Sequence, residues 1–370
     1  MRVLFTATPG HGHVLPMLPL AAATAKGHAV AFATSSEHRE RIAALGIEPI
    51  AVGPTDAEVI RRFAARQPEI RALAIPVRRE SVFRWRFAEL VAPERLPGLR
   101  AAVERWQPDV VVHESADLAG ALVAAERELT VIHHAVGQAV PARPLAGAAA
   151  ALAAAWAAAG LEIDQYAGVY RGHYLDVCPP SLQRVGVPDG VPVQPLRPVE
   201  AGTSGAARDL IYVTLGTTHN KAATFRVLLD ALIDPPDTVL VTVGRTLDPA
   251  TLGAVPAGVR IEQFVPQGDV LGRARLVVSH GGAGSLFGAL AHSCPLLLVP
   301  QGADQFDNAD AATGAGAALT LLPHELTPEA VRERIDQILA EPVFARAADR
   351  IAAEIAMMPS PDDVATRLFG

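Results

Sequence analysis

Ser279-His280-Gly281-Gly282-Ala283-Gly284-Ser285 follows the apolar run Leu276-Val277-Val278 and leads into a helical pattern over residues 286–291. A glycine-rich turn at a strand-to-helix junction marks a parallel α/β sheet. It also presents free backbone N–H groups and the positive end of a helix dipole, so it reads as a phosphate site. At the next such junction, Gly302-Ala303-Asp304-Gln305 supplies a carboxylate and an amide of the kind that sugar hydroxyls need. Diphosphate beside sugar implies a nucleotide-sugar.

Working outward, strand and helix patterns alternate in two blocks. The first predicts a strand at 3–6, a helix at 15–26 ended by Gly27, a strand at 28–34 and a helix at 37–45 ended by Gly46. After a less regular stretch over 54–97 come a helix at 99–106, a strand at 109–113, a helix at 116–128 and a strand at 130–133. Residues 185–208 lose all periodicity and read as a linker. The second block predicts strands at 210–214, 238–243, 260–263, 275–279 and 295–299. The expected fold class is α/β, with two Rossmann-like, doubly wound domains. Ligands of such sheets bind at the carboxyl ends of the strands, so the expected site is a cleft between two facing domains.

Composition sets bounds. A chain of 370 residues suits two domains, and 50% hydrophobic with 19% charged residues is a globular balance. A net charge of -7 argues against nucleic acid as a partner. Two cysteines, Cys178 and Cys294, make no disulfide framework and fit a reducing cytoplasm. The apolar N-terminus reads as a buried strand rather than a signal peptide, and the Ala-rich run at 145–159 is too short to span a bilayer. No membrane partner is expected. The sequence leaves the oligomeric state open, a homodimer included.

Thr8-Pro9-Gly10-His11-Gly12-His13-Val14-Leu15-Pro16 follows the first strand. Gly10 and Gly12 begin a dinucleotide fingerprint, but Leu15 stands where its third glycine belongs, which weakens a nicotinamide reading without removing it. His11 and His13 lack a third ligand nearby, so no metal is expected. A histidine at the carboxyl end of a strand suits general-base work. Glu114, at the end of the strand ending at 113, is the carboxylate expected to orient His13, with Asp117 as the fallback and a solvated loop acid as the ordinary alternative for Glu114. In the second block, Gly216 permits close backbone approach and Thr217 or Thr218 offers a hydroxyl to phosphate. Phe264 with Val265 and Gln267 either meets a base or belongs to the core.

These residues carry a resemblance. The segment Arg260-Ile261-Glu262-Gln263-Phe264-Val265-Pro266-Gln267, the His280 to Ser285 loop and the run from Pro300 to Ala309 resemble the donor signature of family 1 glycosyltransferases. More narrowly, they resemble actinobacterial enzymes that glycosylate natural products such as polyketides and enediynes. Pro9-Gly10-His11-Gly12-His13 and the final Met358-Pro359-Ser360-Pro361 match as well. The resemblance implies a GT-B architecture, with an acceptor domain at 1–195, a donor domain at 196–355, and a C-terminal segment, 356–370, packing back on the first. It implies that His280 contacts the diphosphate, that Thr217, Gly282, Ala283, Gly284 and Ser285 line it, and that Asp304 and Gln305 bind the sugar. Phe264 stands where plant relatives have a base-stacking tryptophan. Those relatives also carry a ribose-binding glutamate where this chain has Gly288, which favours dTDP-sugars over UDP-sugars.

The activity so implied is inverting, metal-independent transfer from a nucleotide-sugar to a hydroxyl of a small, largely apolar aglycone. His13 is the base and Glu114 its partner, with no cofactor. His11, His133 and His134 are candidates for the acceptor side. A nucleotide-sugar epimerase and a non-catalytic nucleotide-sugar-binding subunit are the alternatives. The epimerase needs no apolar acceptor pocket, which the 54–97 stretch and the Ala-rich helix suggest, and the binding subunit has no use for His13.

Overall fold

The computed structural model describes the chain apart from residue 74 and residues 200–207, 217–220, 234–236 and 245–246. The described residues form two compact units. The first comprises Met1–Cys178, Val185–Leu196 and Pro359–Gly370, and the second Pro179–Arg184 and Arg197–Met358.

The first unit holds a parallel sheet of β1 (Arg2–Thr6), β2 (Ala29–Thr34), β3 (Glu48–Ala51), β4 (Val110–Glu114), β5 (Thr130–His134), β6 (His173–Asp176) and β7 (Val193–Pro195). Their order is β3-β2-β1-β4-β5-β6-β7. Val3, Leu4 and Phe5 on β1 and Val110, Val111 and Val112 on β4 are buried, as continuous apolar runs must be in a sheet covered on both faces. Strand order reverses between β1 and β4, so the loops leaving these two strands flank the switch point where doubly wound sheets bind ligands.

The second unit repeats the logic with β8 (Leu210–Thr214), β9 (Thr238–Thr242), β10 (Val259–Glu262), β11 (Ala274–Ser279), β12 (Leu296–Leu298) and β13 (Ala318–Thr320). The order is β10-β9-β8-β11-β12-β13, all parallel, with the reversal between β8 and β11. Its core joins Ile211, Val213, Val239, Val241 and Val278 to Phe225, Leu229 and Ile335 from the covering helices.

Several expectations change. The stretch over 54–97 is largely helical, with helices Asp56–Ala64, Gln67–Ala72 and Ile75–Phe83, a π-helix Arg84–Val91 and a helix Ala92–Trp106. Prolines masked this pattern. Pro68 and Pro93 sit in first turns, where no N–H is needed. Pro97 lies inside its helix, at a cost of about 3 kcal/mol. Burial of Leu96, Leu99, Val103 and Trp106 on that helix offsets it. The expected helix at 15–26 begins earlier, as His11–Val14, a 3-10 turn Leu15–Met17 and Leu18–Thr24. The expected linker contains β7, so its first part belongs to the first sheet. β3, β6, β7 and β13 were not expected.

The last helix, Pro361–Phe369, starts with a capping box between Ser360 and Asp363. It lies on the first unit: Asp362 Oδ1 is 2.5 Å from Lys26 Nζ, and Arg367 donates to Gln194 Oε1 at 2.9 Å. Among the described residues no helix is long and apolar enough to cross a membrane.

Candidate active site

β1 runs into Thr8-Pro9-Gly10, and a helix begins at His11. Gly10 has φ 119°, a conformation L side chains rarely adopt, and this sharp turn brings His13 back over the end of β4. There His13 Nδ1 lies 3.1 Å from Glu114 Oε2. The distance is that of a hydrogen bond, while the alignment falls short of one. Catalytic pairs in ligand-free sites are commonly long or poorly aligned.

Glu114 has no exposed surface. Its Oε1 accepts from Thr8 N at 3.1 Å and Thr8 Oγ1 at 2.7 Å, and its Oε2 from Ala116 N at 2.7 Å. Burial pushes this carboxyl up, but the facing His13 and the donors on Ala116 and Thr8 outweigh it and bring the pKa down to about 2. The group is therefore a fixed anion at neutral pH, not a solvated loop acid.

Around His13 lie residues the sequence reading did not single out. Phe87 meets the imidazole edge-on with centroids 5.3 Å apart. Arg86, its neighbour on the π-helix, donates to Asp56 Oδ1 at 3.2 Å, and Asp56 borders Gly10. The signal available was the Arg84-Trp85-Arg86-Phe87 run, an alternation of cations and aromatics within an otherwise unpatterned stretch.

Asp117, the fallback partner for His13, serves elsewhere. Its carboxylate takes Arg95 Nη2 at 2.9 Å and Thr6 Oγ1 at 2.6 Å, and caps the helix Leu118–Glu126 through Gly120 N. His133 and His134 depart from expectation too. β5 lies inside the sheet, and both rings are fully buried. His133 Nε2 meets Ser115 Oγ at 2.9 Å, and His134 Nδ1 meets Ala135 O at 2.6 Å. Burial pushes His134 down to about 4 and His133 well below the usual histidine range, so both are neutral core residues rather than a surface for an acceptor. His11 is exposed, with its ring 5.1 Å from that of His38.

In the second unit the loops after β8 and β11 meet at His280. A Cβ added at Gly216 would lie 2.7 Å from the His280 ring, and one at Gly282 would lie 2.5 Å from Nε2. The imidazole thus rests against backbone that only glycine leaves open. The helix Ala283–Ala291 opens at Gly282 without a side-chain cap, leaving its first N–H groups, from Ala283, Gly284 and Ser285, available to an anion. Gln267 Nε2 donates to Ser285 Oγ at 3.1 Å. Phe264 is 51% exposed, which removes it from the core, and Val265 beside it is half-buried. Thr217 and Thr218 lie outside the described residues.

Asp304 and Gln305 part ways. Asp304 is exposed, while Gln305 is buried and its Oε1 accepts from Gln301 N at 2.8 Å and Gly302 N at 3.1 Å. Its carboxamide oxygen thus closes the loop instead of facing a sugar. Asn308, to which the sequence reading gave no role, joins the two motifs: its Nδ2 donates to Gly281 O and to Asp304 Oδ2, both at 2.9 Å. Gly288 is buried, and a Cβ there would meet Leu271 Cδ1 at 3.2 Å. Among the described residues no three His, Cys, Asp or Glu side chains converge as metal ligands.

Known proteins resemble the chain in sequence and in fold. The N-terminal domain of the erythromycin biosynthesis protein CIII-like family matches residues 21–209, and its C-terminal domain matches residues 226–370. The chain is 34% identical to the L-demethylnoviosyl transferase of Streptomyces niveus over 386 residues, covering 100% of this chain and 97% of that one. It is 31% identical to the elloramycin glycosyltransferase ElmGT of Streptomyces olivaceus over 384 residues, with 100% and 97% coverage. Among solved structures, the glycosyltransferase VinC in complex with DTDP superposes with a TM-score of 0.79 at 25% identity, covering 100% of this chain and 98% of that one. The chain therefore belongs to the erythromycin biosynthesis protein CIII-like family and is a GT-B glycosyltransferase of the natural-product type.

Proposed function

We propose that the protein moves a sugar from a nucleoside diphosphate, with dTDP-sugars favoured, to a hydroxyl of a small natural-product aglycone with inversion at the anomeric carbon. The observation that carries this reading is the His13–Glu114 pair, a partly exposed imidazole held 3.1 Å from a buried carboxylate. With Nδ1–H turned to Glu114, His13 Nε2 takes the acceptor proton as the acceptor oxygen forms its bond to the anomeric carbon. The bond from that carbon to the diphosphate breaks, and the diphosphate leaves with the electron pair. Glu114 stabilises the imidazolium that results.

On the second unit, His280 and the open N–H groups of helix Ala283–Ala291 receive the charge of the leaving diphosphate, a role in which no metal is required. Asp304 accepts from the sugar hydroxyls, and Phe264 stacks on the base with the Val265 backbone at its edge. The preference for dTDP rests on Gly288, which offers no carboxylate to a 2′-hydroxyl, and it agrees with the DTDP bound in a related structure.

The test is His13→Ala with dTDP-glucose and a panel of phenolic and polyketide acceptors. Transfer should fall by ~10²–10⁴-fold while dTDP affinity stays unchanged. Undiminished turnover would remove His13 as the base. Epimer formation from dTDP-glucose alone would point to the epimerase chemistry instead.

A further inference from the structure

Glu114 accepts three hydrogen bonds beside His13, and the way it is satisfied is asymmetric. A carboxylate offers about four lone-pair sites. Thr8 takes both contacts on Oε1, through its N–H at 3.1 Å and its hydroxyl at 2.7 Å. Oε2 is shared between Ala116 N at 2.7 Å and His13 Nδ1 at 3.1 Å. Thr8 is itself 1% exposed, on the first stretch of chain beyond β1, and its hydroxyl donates to Oε1. The same carboxylate therefore faces both ends of the loop that carries the base: it is hydrogen-bonded to Thr8 where the loop leaves the sheet, and lies 3.1 Å from His13 where it returns past the positive-φ turn at Gly10.

We propose that Thr8 is a positioning residue for the transfer reaction, its hydroxyl fixing the plane of the Glu114 carboxylate so that Oε2 holds His13 in the Nδ1–H tautomer with Nε2 as the free base. This rests on the reading of His13 as the base. The physical reason is geometric. Without the hydroxyl, the Glu114 carboxylate is held by two backbone N–H groups on opposite oxygens, and it turns to improve those contacts at the expense of the one to His13. Misplacement of a catalytic group by an ångström costs on the order of 10²-fold in rate. Valine matches threonine in shape and removes the hydroxyl alone, while serine keeps the hydroxyl and removes a methyl group.

The tautomer can be read without any acceptor. In protein carrying ¹⁵N-labelled histidine at pH 8, His13 should show the Nδ1–H form in the wild type and in Thr8→Ser. It should revert toward the Nε2–H form that free histidine prefers in Thr8→Val, with Glu114→Ala as the reference for complete loss. The other histidine resonances report whether each variant is folded, and Thr8→Ala replaces Thr8→Val if the valine disturbs them. An unchanged His13 signal in a folded Thr8→Val or Thr8→Ala protein overturns the proposal.

With dTDP-glucose and 4-methylumbelliferone, kcat should fall about tenfold or more in Thr8→Val with the dTDP Kd unchanged. It should recover in Thr8→Ser and fall no further when Thr8→Val is added to Glu114→Ala. An additive loss in that double variant means Thr8 acts independently of Glu114 and also overturns the proposal. Full turnover by His13→Ala, alongside a shifted tautomer in Thr8→Val, leaves the coupling standing and removes the base assignment, so the two failures are distinct.

Discussion

Arg95 grips Asp117 at two points, Nη2 to Oδ2 at 2.9 Å and Nε to Oδ1 at 3.2 Å, and neither side chain has exposed surface. The guanidinium also donates to Thr6 Oγ1, Ala33 O and Val52 O, so one cation ties β1 to the ends of β2 and β3. Asp117→Ala strands that charge in the core. It should cost about 3–5 kcal/mol, read as a lowered urea midpoint. A change under about 1 kcal/mol would mean that the remaining carbonyls satisfy Arg95 alone.

Gly282→Ala tests the floor under His280. The new Cβ would sit 2.5 Å from Nε2, so the ring must swing away. dTDP affinity by calorimetry should drop at least about tenfold, the scale of one charge-assisted contact, with the thermal midpoint little changed. Wild-type affinity would show that the ring moves freely and that its position does not matter to the nucleotide.

His134 sets an acid limit on stability. Burial lowers its pKa to about 4, so the unfolded chain binds a proton that the native one does not between pH 6.5 and about 4. The stability this group contributes is complete above the unfolded value and is lost as pH falls through that window. His134→Gln should flatten urea midpoints measured from pH 7 to pH 4. A slope equal to wild type would place the acid-sensitive groups elsewhere, His133 and His113 being the next buried rings.

Gly288→Glu tests donor choice. Its Cβ meets Leu271 Cδ1 at 3.2 Å, a contact that the leucine rotamer can relieve. The ratio of UDP to dTDP affinity, from competition titration, should rise about tenfold or more, the worth of one hydrogen bond to a charged group. An unmoved ratio would detach nucleotide preference from this position.

The central strands and the switch-point loops were legible because their signals are local. β8 falls on the residues expected for it, and the His280 loop reads as strand, glycine turn and helix. What escaped the sequence was set by tertiary contact. β3 carries Pro49 at a sheet edge, where a missing N–H costs nothing, and β7 and β13 are three-residue edge strands too short for periodicity. Residues 54–97 hide helices behind prolines. Glu114 and Asp117, three positions apart, were separated only by the strand end on which Glu114 sits, with no sign of what Asp117 binds instead. Arg95 settles the assignment, arriving from the first turns of the helix Ala92–Trp106, ahead of the part its pattern showed, and it claims Asp117 and leaves Glu114 to His13. Nor does the sequence show that the Gln305 carboxamide oxygen accepts from two N–H groups of its own loop.

The helix Pro361–Phe369 has a consequence for the order of events as the chain is made. It caps the first unit, near Lys26, His28 and Gln194, yet the ribosome delivers it only after the whole of 197–358. The first-made unit therefore waits, incompletely covered, while the second is synthesised and folds. The second unit can be finished before the first, and residues 359–370 act as a closing seal on the part that was begun earlier.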